Sequence, residues 1–125
     1  MEDHPQRDDL IAQMTRQLII AYALVVKALA GLPIPIEVPP MPDTQHDPEI
    51  HARLVRAIAL LEEIPVDPVY AGHIRGLVID WLTASDYLAD AREDWALWKA
   101  DFVVTQLTRV HARWKHIEGL RETLE

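Results

Sequence analysis

The sequence predicts an all-α protein: a helical bundle of three to four helices, with a long C-terminal helix and a proline-rich extended crossover segment. Three observations carry that prediction. Leu77 to Glu118 contains no glycine and no proline, the two residues that most reliably stop a helix. Apolar residues recur through this stretch in alternating steps of three and four, at Ile74, Leu77, Trp81, Ala84, Leu88, Ala91, Trp95, Trp98 and Phe102. After one skip the rhythm resumes at Leu107, Val110, Trp114 and Ile117. This is the seam of one helix face. Upstream, Pro33, Pro35, Pro39, Pro40, Pro42 and Pro48 crowd into one segment, and proline at that density forbids helix and favours extended geometry.

Composition sets the outer limits. A chain of 125 residues holds one domain's worth of core, so residues 1–125 are read as a single helical domain. Half the residues are hydrophobic and 26% are charged, a globular balance. The absence of cysteine excludes disulfides, thiolate nucleophiles and zinc fingers. A net charge of −8 argues against nucleic acid as a partner, because neutralising phosphates needs a basic face. Residues 1–9 carry four acidic side chains, including Asp8 and Asp9, where a secretory signal would be basic. Leu18 to Val26 is uninterrupted apolar, but Pro33 and Pro35 interrupt any helix before the roughly 20 residues a membrane span needs. The expectation is a soluble, cytoplasmic protein that does not enter membranes.

Helix 1 is expected over 8–31. Asp8 and Asp9 suit its N-terminus, and Gly31 suits the C′ position. Its core stripe is Leu10, Met14, Leu18, Ala21, Val25, Ala28 and Leu32. The opposite face begins polar, with Gln13, Arg16 and Gln17, and then carries Ile20, Ala23 and Leu24 before Lys27. A helix apolar on two sides is central in its bundle or covered by another chain. In so short a protein the second reading is preferred, which makes Ile20 and Leu24 candidate interface residues.

In the extended segment, 32–47, Ile34, Ile36 and Val38 alternate with Pro33, Pro35, Glu37 and Pro39. Such a row is a stiff strap over its own bundle or an arm that docks on a neighbour. Asp47-Pro48-Glu49 then reads as a helix start, with an N-cap, proline at N1 and an acid in the first turn. Helix 2 is expected over 48–64, burying Ile50, Leu54, Ala57 or Ile58, and Leu61. Pro65 to Pro68 forms a short turn that sends the next helix back. There, Gly72 and Gly76 lie four apart and would admit a close helix neighbour.

A long helix is expected over 69–122. Ser85, Asp86 and the capping-box spacing of Asp90 and Glu93 mark a possible break near 84–90. The rhythm running on through Ala84, Leu88 and Ala91 favours continuity.

Candidate chemistry is sparse. Asp86, Asp90, Glu93, Asp94 and Asp101 lie off the seam and read as a solvated face. The chain has six histidines but no Glu-x-x-His pair, the unit from which di-iron bundles build their site. No catalytic residue, metal or cofactor is expected. Arg109 and His116 are separated by six residues. This pair resembles the Arg-x4–6-His signature of HEPN-type ribonucleases, although Val110 stands where that family usually has a polar residue. The resemblance implies a dimeric helical bundle in which Arg109 and His116 of two chains meet at the dimer cleft and cleave RNA.

The tryptophans say more. Trp81, Trp95, Trp98 and Trp114 all lie on or beside the seam, and tryptophan is enriched at interface hot spots. Charge is sorted as well. Asp80 to Asp101 holds six acids against Arg92 and Lys99, while Phe102 to Ile117 holds no acid and carries Arg109, Arg113 and Lys115. That segregation permits two copies to pair, acidic half against basic half.

The function expected from sequence is therefore non-enzymatic assembly. The chain reads as a homo-oligomer or a subunit of a larger complex, such as a virion connector or a small accessory subunit. Its partners would be itself or other protein subunits, through Ile20, Leu24, Ile34, Ile36, Val38, Trp81, Trp95, Trp98 and Trp114. The alternatives are a HEPN-like small ribonuclease and an acidic inhibitor or mimic that binds a basic protein surface.

Overall fold

The computed structural model describes residues 5–40 and 47–124. Among these are four α-helices and no strand: α1 (Pro5–Ala30), α2 (Pro48–Leu61), α3 (Pro68–Glu93) and α4 (Leu97–Leu124). Two Asp-Pro pairs start α2 and α3 in the same way. The Asp47 carboxylate accepts the N–H of Glu49 at 2.8 Å, and Asp67 accepts those of Val69 and Tyr70 at 2.9 and 3.1 Å. Each aspartate satisfies donors that a helix start leaves open, and the proline after it has no N–H to satisfy.

Side-chain contacts define the helix directions. His73 stacks on His116, Asp80 bonds Arg113, Tyr87 meets Phe102 and Lys99 bonds Asp90. Residues ascending α3 thus meet residues descending α4, and the two form an antiparallel hairpin. The Trp81 indole N–H donates to the Leu18 carbonyl at 2.9 Å, the Arg92 guanidinium bonds the Thr15 hydroxyl, and Arg121 donates to the Lys27 carbonyl. Hence α1 runs against α3 and alongside α4. In α2, His51 lies by Asp86 while Leu61 shares a pocket wall with Pro68 and Ala71, so α2 also runs against α3. Helix α3 packs on all three others. It is the central element, with Ile74, Leu77, Val78, Trp81, Ala84 and Leu88 buried.

A long C-terminal helix is present as α4, but the stretch 69–122 is not one helix. It breaks at 94–96, beyond the 84–90 window in which the sequence suggested a turn. Ser85 is buried inside α3, and Asp86 sits by His51. A single helix over this stretch would be about 80 Å long at 1.5 Å per residue, and its second half would have little core to cover it. Folding back sets Val103, Leu107, Val110 and Ile117 into the same core as Leu77, Val78 and Leu88. A three-to-four rhythm is common to a long helix and to two antiparallel helices, so it could not tell them apart. The rhythm runs on through the break, and its skip after Phe102 falls inside α4. The buried row of α4 is Ala100, Val103, Leu107, Val110 and Ile117, out of phase with Trp98, which is 59% exposed.

Glycine roles also differ from expectation. No described glycine has positive φ, so Gly31 is not a left-handed cap. A Cβ there would meet the Arg121 guanidinium, the far end of a flexible side chain, and displace it. Gly76 likewise makes room for a side chain, Arg113, rather than for a second helix, and Gly72 faces open space. In the extended segment the Ile36 N–H donates to the Leu29 carbonyl at 3.0 Å. The Tyr22 hydroxyl donates to the Pro39 carbonyl at 2.5 Å. Burial, and then the charge of Asp47, push the Tyr22 phenol up to about 12, so it remains a neutral donor. Pro42 and its neighbours lie outside the described residues.

By length and composition, residues 6–30 of α1 could cross a membrane. In the fold their inner stripe, Met14, Leu18, Ala21, Val25 and Ala28, belongs to the core, together with Tyr22 and Leu29.

This packing separates two classes of apolar residue. Replacing Leu77 with alanine should lower the unfolding free energy by about 2–5 kcal/mol. Replacing the exposed Ile20 with alanine should change it by no more than about 0.5 kcal/mol. Denaturant titration of both variants checks the contrast.

Candidate functional site

The expected interface residues do not form one surface. Ile20 is 60% exposed, on the outer side of α1, and Ile34 is 57% exposed. Leu24 is half-buried. Ile36 and Val38 are half-buried against the bundle's own core. Trp81 leaves the interface set: at 2% exposure it fills the centre of the bundle, its ring 5.0 Å from that of Tyr22. Trp95 and Trp114 are half-buried against the core. Only Trp98 is a surface tryptophan.

Among the described residues, two exposed apolar surfaces carry Ile20 and Trp98. On α1, Arg16, Ile20, Ala23 and Lys27 are all exposed, at steps of four, three and four that align them in one stripe. Ile19 and Leu24 flank it. The second surface is the elbow between α3 and α4, where Leu97 and Trp98 are each 59% exposed. Its geometry is held from beneath. Trp98 packs edge-on to Tyr87 at 6.2 Å, and Tyr87 lies on Phe102 at 4.2 Å. The Lys99 ammonium is buried under the turn. It bonds the Asp90 carboxylate at 2.8 Å, the Asp94 carbonyl at 2.8 Å and the Asp94 carboxylate at 3.3 Å. The hydrogen bond to Asp90 first, and that to Asp94 with it, hold Lys99 above its ordinary pKa against the effect of burial. Asp90, Glu93, Asp94 and Asp101 are exposed around this elbow.

Between α3 and α4 runs a polar seam. The buried Asp80 carboxylate accepts from Arg113 Nε at 2.9 Å and lies 3.5 Å from Arg109 Nε. About two turns and three turns nearer the start of α3, His73 stacks on His116 at 5.2 Å and Tyr70 accepts from Arg121 Nε at 2.7 Å. Arg121 also donates to the carbonyls of Lys27 and Ala28 at the end of α1 and lies over the Trp114 ring. It thus ties three helices together. Arg109 and His116 stand on this one seam with Arg113 between them. Among the described residues no group of three His, Asp or Glu side chains is arranged to hold a metal.

Sequence reading missed Asp80, Lys99, Tyr70 and Arg121. A signal existed for Asp80, a lone acid inside Leu77-Val78-Ile79-Asp80-Trp81-Leu82. A charge in such a run is buried and therefore needs a partner. Nothing in the linear pattern says that the partner is Arg113.

Comparison with known protein families, with curated proteins and with solved structures finds no match to this chain.

The seam yields two measurable expectations. Asp80→Ala strands Arg113 at a half-buried site and should cost about 3 kcal/mol, at the low end for a broken buried pair. The double variant Asp80→Leu/Arg113→Leu should recover most of that loss. The second concerns pH. Burial, then His116 and Arg113, lower the His73 pKa from 6.5. The folded chain therefore binds fewer protons than the unfolded chain below about pH 6.5. The associated stability is complete above that value and is lost as pH falls toward the lowered folded pKa. Acidification from about pH 7.5 to about pH 5 should lower the melting temperature more in the wild type than in His73→Phe.

Proposed function

We propose that this chain is a non-enzymatic assembly protein, a homo-oligomer or a subunit of a larger complex, and that the outer face of α1 makes the contact. The observation that carries this reading is the exposed stripe of Ile20 and Ala23, with Ile19 and Leu24 beside it, on a helix whose opposite face already fills the core. A fully buried isoleucine is worth roughly 1.5–3 kcal/mol, and α1 leaves this stripe to water where a polar row would have served the bundle equally well. Contiguous exposed apolar side chains mark contact surfaces. The ionic groups of the seam, by contrast, are engaged within the chain: Asp80 with Arg113 and Arg109, and Arg121 with Tyr70 and α1. The test is light scattering across a concentration series. The wild type should exceed 14.3 kDa. Ile20→Glu/Ala23→Glu should keep its helical circular dichroism and run as a monomer.

A second reading rests on one specific observation, that Arg109, Arg113 and His116 share a seam with Asp80 and His73. This is a cationic row beside a general acid or base, as RNA cleavage requires. Incubation with single-stranded RNA discriminates the two. The assembly reading expects no cleavage. Cleavage that is lost in His116→Ala would establish the ribonuclease reading in its place.

A further inference from the structure

The α1 stripe and the α3–α4 elbow are complementary, and we propose that they bind each other. The α1 stripe of one copy receives the α3–α4 elbow of the next. This inference rests on the assembly reading above and names the partner of the α1 face.

The α1 stripe is a poor partner for a second copy of itself. Arg16 lies four residues before Ile20 and Lys27 four residues after Ala23, all four exposed on one stripe. Two-fold antiparallel packing centred on Ile20 and Ala23 therefore sets Arg16 of each copy against Lys27 of the other. Parallel packing sets each cation against its own copy. Either arrangement doubles a like-charge contact while burying the apolar centre, and opposed like charges disfavour an interface. The face needs a partner that is apolar at its centre and acidic at its edge.

The elbow has that composition. Leu97 and Trp98 project at its tip, and Asp90, Glu93, Asp94 and Asp101 stand exposed around them. The buried Lys99 answers Asp90 and Asp94 in part, and the charge left over is negative. Tyr87 and the Lys99 bonds hold Trp98 and the turn in place. Little ordering entropy is then lost on docking, and tryptophan is among the residues enriched at hot spots. Several of the chain's own cations cannot rival α1 as the elbow's partner, because Arg109 and Arg113 bond Asp80 and Arg121 bonds Tyr70.

A contact between two different faces of identical chains is head-to-tail. It closes into a ring, or continues as a filament, according to the rotation it imposes. It also weakens with salt, because cations and carboxylates meet at its edge.

Complementation between two variants tests it. Ile20→Glu/Ala23→Glu removes the α1 face and keeps the elbow. Leu97→Ser/Trp98→Ser removes the elbow tip, at exposed positions, and keeps the α1 face. Each variant alone should be a helical monomer by circular dichroism and light scattering. Mixed, they should form a one-to-one heterodimer that salt dissociates, whereas the chain carrying all four substitutions should stay monomeric in either mixture. The inference is overturned if the elbow variant assembles as the wild type does, or if the mixture remains monomeric. If only the α1 variant loses assembly, α1 is the interface and its partner lies elsewhere, so the assembly reading survives without this inference. A wild type that is monomeric throughout the series overturns both.

Discussion

The constraint on which this structure depends is the closure of α3 against α4. One apolar stretch folds back on itself at residues 94–96, and the two halves then serve as each other's core. Apolar burial drives the closure, through Leu77, Val78, Leu88, Val103, Leu107 and Val110. Burial alone is non-directional, however, and helices with this rhythm could slide past one another by a turn. The polar contacts along the hairpin oppose such a slip. Lys99 bonds Asp90 and Asp94 at the elbow, Arg113 bonds Asp80 midway, and Arg121 bonds Tyr70 near the far end. A shift by one turn would strand the buried charges of Lys99 and Asp80 and break the Arg121 bond to Tyr70.

The other elements attach to that hairpin. α1 lies beside both of its helices, with the Leu18 carbonyl on Trp81 and its C-terminal carbonyls on Arg121. Cationic contact with those carbonyls also favours the negative end of the α1 dipole. α2 packs on the remaining flank of α3. Because α3 occupies the centre, α1 is peripheral, and its second apolar stripe stays at the surface.

The elbow links structure to proposed function. The break that allows the hairpin also shifts the helical phase, which places Trp98 outside the core and beside Leu97 at an exposed tip. The lysine that stabilises the turn holds two of the surrounding carboxylates in position. A feature required for folding thus presents a rigid apolar anchor with an acidic edge, and α1 presents an apolar stripe with a basic one.

The sequence by itself determined the all-α class, the Asp47-Pro48 start of α2, the inner stripes of α1 and α2, and the presence of an apolar row on the outer side of α1. Each of these depends on residues within a few turns of one another, where periodicity and capping act. Tertiary structure alone decided where the long seam breaks, which helix is central and which tryptophan reaches solvent. It also paired Asp80 with Arg113, Lys99 with Asp90, and Arg121 with Tyr70 and α1. The physical reason is the range of the interactions. An apolar rhythm is degenerate between one long helix and two packed ones, and the degeneracy is lifted only by burial between segments distant in the chain. A buried charge announces that it needs a partner, while the identity of that partner depends on which helix lies across from it.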